Sequence, residues 1–192
     1  MHPSDQLEAI IPVITGIVDR IEPDQLDDPT PCRSFDVIDV LGHMIVLGGA
    51  FAHAFRGEPA PDIASPEPGR GVPARQFRDA MLELLDAERS PGAMQRTITA
   101  PPGEMSGETF ARLVAFDGLV HGWDLAVATG QDYVVDDDVV AEVAAFARSA
   151  ISDDMRDGDT FAAPTDPPAG ASSIDRVAAF SGRAVPSGRV RA

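Results

Sequence analysis

Hydrophobic residues along this chain recur with the spacing of helices rather than strands. Leu7, Ile10, Ile11, Ile14, Ile17, Val18 and Ile21 share one face of a helix predicted over residues 4–21, with Ser4 as its N-cap. Pro12 lies inside it and either removes an internal hydrogen bond or delays the regular helix. The segment EPDQLDDPTPCRS reads as a loop. A second helix is predicted from Ser34 to Phe55, ended by Gly57. Its apolar residues surround nearly the whole circumference, which predicts a central, buried helix. Residues 57–73 are rich in Gly, Pro and acids and read as a long loop. A third helix spans 73–90, with Phe77, Met81, Leu84 and Leu85 facing inward. MQRTITA reads as a short extended piece.

The fourth helix is predicted from Ser106 to Gly130 and the fifth from Asp136 to Met155. Asp136, Asp137 and Asp138 suit the positive end of the fifth helix dipole. In the tail, SIDRVAAFSGR reads as a short helix capped by Ser172 or Ser173 and stopped by Gly182. The last ten residues read as loosely held. With no strictly alternating strand pattern, the fold class is all-α, an antiparallel bundle of four long helices with additions. The bundle is assigned to residues 1–156. The Pro- and Gly-rich tail, 157–192, is expected to pack on the same domain.

Length and charge narrow the function. The chain has 192 residues, 44% of them hydrophobic and 24% charged, enough for one domain with a core. Its net charge of −16 disfavours nucleic acid and anionic membranes as partners. Cys32 is the only cysteine, so neither an internal disulfide nor a cysteine-built zinc framework is available. The N-terminus lacks a basic region followed by an uncharged apolar run, and no stretch reaches about 20 uncharged apolar residues. The expected location is cytoplasmic. The sequence does not set the oligomeric state; a homodimer is compatible with it.

The segment FDGLVHGWDLAVATG, residues 116–130, breaks the pattern. Asp117, His121 and Asp124 fall close to the stripe that should be apolar, flanked by Phe110, Val114 and Leu125. A buried carboxylate needs a proton, a cation or a metal. His43, amid VLGHMIVLGG of the second helix, is equally hard to place in water. Two imidazoles and a carboxylate converging in a bundle suit a divalent ion with open positions for water or substrate. The plainer alternative is a local Asp–His pair on one helix and a His43 satisfied by a carbonyl. Asp124 fits either a hydrogen-bond acceptor for an imidazole N–H or a structural partner of a backbone amide or Arg. Trp123 reads as packing. His53 lies about 80° from His43 around the helix and is not expected as a ligand, nor is His2. Cys32 is read as a small buried residue rather than part of the pocket mouth.

The strings PTPCRSFDVIDVLGHM and FDGLVHGWDLAVATG, followed by SSIDRVAAFSGR, resemble the DinB-like metal-binding superfamily. More narrowly they resemble the mycothiol-dependent maleylpyruvate isomerase N-terminal domain and its short relatives. The resemblance runs from the first helix to Arg183. It implies a DinB-like four-helix bundle with an additional C-terminal helix and an irregular tail. It also implies a metal, zinc first, on His43, Asp117 and His121. Family members carry Glu where this chain has Asp117, one methylene shorter.

Three functions follow. By resemblance, the chain is a mycothiol-dependent thiol S-transferase or isomerase that acts on a small electrophile, with a divalent metal and a small-molecule thiol as cosubstrate. The second reading is a non-catalytic metal- or ligand-binding module. The third is a metal-free bundle whose polar residues pair internally. The isomerase carries a substantial second domain, whereas about 40 residues follow the fifth helix here, too few for a typical domain. Maleylpyruvate isomerisation itself is therefore not expected.

Overall fold

A computed structural model describes residues 1–62, 65, 71–100, 103–156 and 161–187. Four long helices form the bundle: α1 (Pro3–Val18), α2 (Val37–Arg56), α3 (Ala74–Glu88) and α4 (Gly107–Ala128). α1 packs on α3 and α4, and α2 packs on the same two. α5 (Asp137–Ala150) lies along α4, and the short α6 (Ser173–Phe180) covers α4 and α5. The fold is all-α in substance, as the periodicity predicted.

Local chemistry fixes the ends. α1 begins at His2, not Ser4: the His2 ring accepts a hydrogen bond from the Ser4 amide at 3.2 Å. Pro12 sits inside α1 without breaking it. α2 starts three residues later than expected, after an Asp36 cap whose amide is bound by Asp39 at 3.1 Å. Gly57 ends it in the left-handed conformation, as read from the sequence. Ser106 caps α4 by accepting from the Thr109 amide. α5 stops at Ala150, short of Met155, where a single 3-10 turn follows.

Two expectations need correction. An antiparallel hairpin, β1 (Thr97–Ala100) with β2 (Gly103–Ser106), joins α3 to α4. MQRTITA held only its first strand, because GEMS has no apolar alternation to reveal the second. The most enclosed helix is α4 rather than α2. Every residue from Leu119 to Ala126 is buried, since α1, α2, α5 and α6 all press on α4. Gly122 permits this approach: a Cβ there would overlap the Tyr133 hydroxyl and Ile14. α2 buries one side only. Among the described residues, α2 alone is long and apolar enough to cross a membrane by length and composition. The sequence reading had set no stretch that high. Here it serves as a bundle helix.

Candidate metal centre

α2 and α4 cross so that His43, Asp117 and His121 meet. His43 Nε2 lies 3.7 Å from Asp117 Oδ1, and His121 Nε2 lies 3.5 Å from the same oxygen. The two imidazole centroids are 4.7 Å apart. One donor atom from each residue falls within 4.8 Å of the others. Phe35 packs edge-on against His43 from the loop before α2.

These spacings fit a cation. Donors held about 2.0–2.1 Å from a tetrahedral zinc stand ~3.4 Å apart. The observed 3.5 and 3.7 Å are close to that and long for hydrogen bonds. His43 Nε2 is buried without a hydrogen-bond partner, an arrangement that costs free energy unless something binds it. Two nitrogens and one oxygen suit zinc or a similar divalent ion. Burial opposes ionisation of Asp117, but His121 first, then His43 and the more distant Arg183, hold its carboxyl below the usual range.

The other side of His121 is fully engaged. Its Nδ1 lies 3.1 Å from Asp124 Oδ2, and a carboxylate there can only accept, so Nδ1 donates. That leaves Nε2 with its lone pair toward Asp117. Asp124 is completely buried. It accepts from Arg183 Nη2 at 2.9 Å and Arg183 Nε at 3.3 Å. The sequence had left Asp124 between an imidazole acceptor and a structural partner of Arg; the structure gives it both contacts. Trp123 is buried in the core, and its indole N–H donates to Asp175 of α6 at 2.9 Å.

Cys32 is not the plain packing residue expected. A pleated loop, tied by Thr30 Oγ1 to the Phe35 carbonyl at 2.7 Å, brings its sulfur within 4.8 Å of the nearest donor atoms of His121 and Asp124. Burial pushes the thiol pKa up, while Arg183 works against that. His53 stays outside the cluster: its Nδ1 lies 3.0 Å from the Pro59 carbonyl and 3.3 Å from Glu58. Arg183 escaped the sequence reading altogether, and it lies in the stretch read as loosely held. Of that stretch, residues 188–192 lie outside the described residues. A small apolar cleft among Leu7, Ile14, Met44, Phe51 and Met81 adjoins the cluster, and Asp117 is its one polar side chain.

The sequence profile of the mycothiol maleylpyruvate isomerase N-terminal domain matches residues 7–126. The chain belongs to that family. Two uncharacterized proteins of Mycobacterium tuberculosis, Rv0738 of strain H37Rv and MT0763 of strain CDC 1551, are each 33% identical to it over 171 residues. Those alignments cover 88% of this chain and 91% of each relative. The crystal structure of a histidine-to-alanine mutant of the mycothiol-dependent maleylpyruvate isomerase superposes with a TM-score of 0.52 at 14% identity. That match covers 73% of this chain and 64% of the isomerase chain, so it speaks for the fold. Family membership and fold agree with the DinB-like bundle inferred from the motifs.

Proposed function

We propose that this family member binds one divalent ion, zinc first, on His43, Asp117 and His121, and acts with mycothiol as an S-transferase or isomerase on a small electrophile. The observation that carries the reading is the buried, unpartnered His43 Nε2 facing a carboxylate and a second imidazole. Asp117 is shorter than the Glu of the family pattern but is a competent oxygen donor.

A bound divalent ion lowers the pKa of a thiol it coordinates, and so favours thiolate at neutral pH. The chain's own residues supply the rest. His43 comes from α2 and Asp117 and His121 from α4, so the site depends on the packing of two rigid helices. Asp124 fixes the ring of His121. Cys32, kept as a thiol by burial, is a poor competitor for the ion. The apolar cleft beside Asp117 shields an electrophile from water. In transfer, the cosubstrate sulfur forms a bond to the electrophilic carbon. The leaving group takes the electron pair of the broken bond, and the thiol proton goes to solvent. A cytoplasmic setting, where thiols stay reduced, suits both Cys32 and the cosubstrate.

The test is consumption of mycothiol with a panel of small electrophiles by zinc-loaded protein, chelator-treated protein and the His43→Ala variant. Turnover by the first alone is expected. A protein that holds a full equivalent of zinc and transfers no sulfur to any electrophile would be a non-catalytic metal-binding module.

A further inference from the structure

We propose that Arg183 is a positioning residue for this centre: it holds Asp124, Asp124 holds the ring of His121, and the segment after α6 thereby sets how tightly the site binds its ion. The inference rests on the metal reading above. It extends that reading to a residue beyond the family match, which ends at 126.

The contact chain is short and buried. Arg183 puts two prongs, Nη2 and Nε, on the two oxygens of Asp124, and paired contacts of this kind fix geometry as well as charge. Asp124 is 0% exposed and the Arg183 side chain 13%. With Arg183 balancing its charge, Asp124 serves as the fixed acceptor for His121 Nδ1–H. Partners of this kind orient an imidazole and raise its quality as a ligand. Both prongs are committed to Asp124, and Nη1 reaches toward Ser181 Oγ at 3.4 Å. Arg183 is therefore placed to hold α4 rather than to receive a substrate anion.

The chain is built to deliver Arg183 there. α6 ends in a Schellman turn: the Gly182 amide donates to the Ala179 carbonyl and the Arg183 amide to the Ala178 carbonyl, both at 3.0 Å. Gly182 has φ +94°, and a Cβ there would come within 2.6 Å of the Ala162 Cβ. The turn sends residue 183 back toward α4 instead of onward into solvent. The opposite end of α6 is held by Trp123 through Asp175. Consecutive residues of α4, Trp123 and Asp124, thus clamp both ends of α6.

Two measurements on wild type, Arg183→Ala and Arg183→Lys test this. The first is zinc affinity by competition with a chromophoric chelator. The second is the ring 15N spectrum of His121 in metal-free protein, which reports its tautomer. Arg183→Ala is expected to weaken zinc by about 10- to 100-fold and to lose the single Nδ1–H tautomer. Arg183→Lys, which keeps the charge without the two prongs, should fall between. Wild-type affinity and tautomer in Arg183→Ala would overturn the proposal. Should that variant fail to fold, Arg183→Lys decides: weaker binding supports the proposal and unchanged values in both measurements overturn it. If wild type binds no zinc, the metal reading fails, and the tautomer comparison still judges the role of Arg183.

Discussion

Two places in this bundle bury carboxylates, and they treat them in opposite ways. Around α4, Asp124 is enclosed yet meets Arg183 from the tail and His121 from its own helix. Between α1 and α3, Glu88 is 1% exposed and neither of its oxygens has a partner. Gln6 of α1 is equally buried and equally unpartnered. Nearby, Arg89 spends its charge on Glu8 at 2.6 Å. Burial first, then Glu8 and Asp5, raise the Glu88 pKa to about 7, with Arg89 opposing. A buried charge with convergent partners marks a place where geometry is held for use. A buried carboxylate without them behaves as a proton carrier.

The largest effect should come from breaking the paired side. In metal-free protein, Arg183→Ala leaves Asp124 buried and unbalanced, and should cost about 3–5 kcal/mol in denaturant unfolding at pH 7. Adding Asp124→Asn should recover much of that loss. If Arg183→Ala costs as much in a chain already carrying Asp124→Asn as it does in wild type, the two residues are not coupled.

The unpaired side should respond to pH. The folded carboxyl of Glu88, near 7, stands above its ordinary 4.5, so the folded chain binds this proton more tightly than the unfolded chain. Its contribution to stability is complete below about pH 4.5 and is lost as pH rises through 7, by ~3 kcal/mol at most. Glu88→Gln should lack that loss and gain on wild type at pH 8 relative to pH 4. An identical pH dependence in the two proteins would place the titration elsewhere. The smallest effect concerns delivery: Gly182→Ala meets both the positive φ and Ala162, and should cost roughly 1–3 kcal/mol. It should also weaken zinc, although every polar side chain of the site is intact.

How far the sequence reached follows the same division. Helix faces were legible because apolar residues repeat every three or four positions, and caps such as Ser106 and Gly57 announced themselves locally. His43, Asp117 and His121 were legible as polar residues out of place on apolar faces, and the structure brings those three together. Arg183 gave no such signal. An arginine after a helix-ending glycine looks like solvated tail, and only the turn at Gly182 sends it inward. Cys32 was missed for the same reason, since its position depends on a loop held by Thr30 and Phe35. The second strand was missed because four residues without alternation carry no period. The enclosure of α4 was misjudged because its polar letters hid how many neighbours it has.

The central claim is that His43, Asp117 and His121 together hold one divalent ion. The direct measurement is calorimetric zinc titration of chelator-stripped protein beside His43→Ala and His121→Ala, with folding of each checked by circular dichroism. One equivalent in wild type and none in either folded variant is the predicted result. A full equivalent with unchanged affinity in both variants would contradict it.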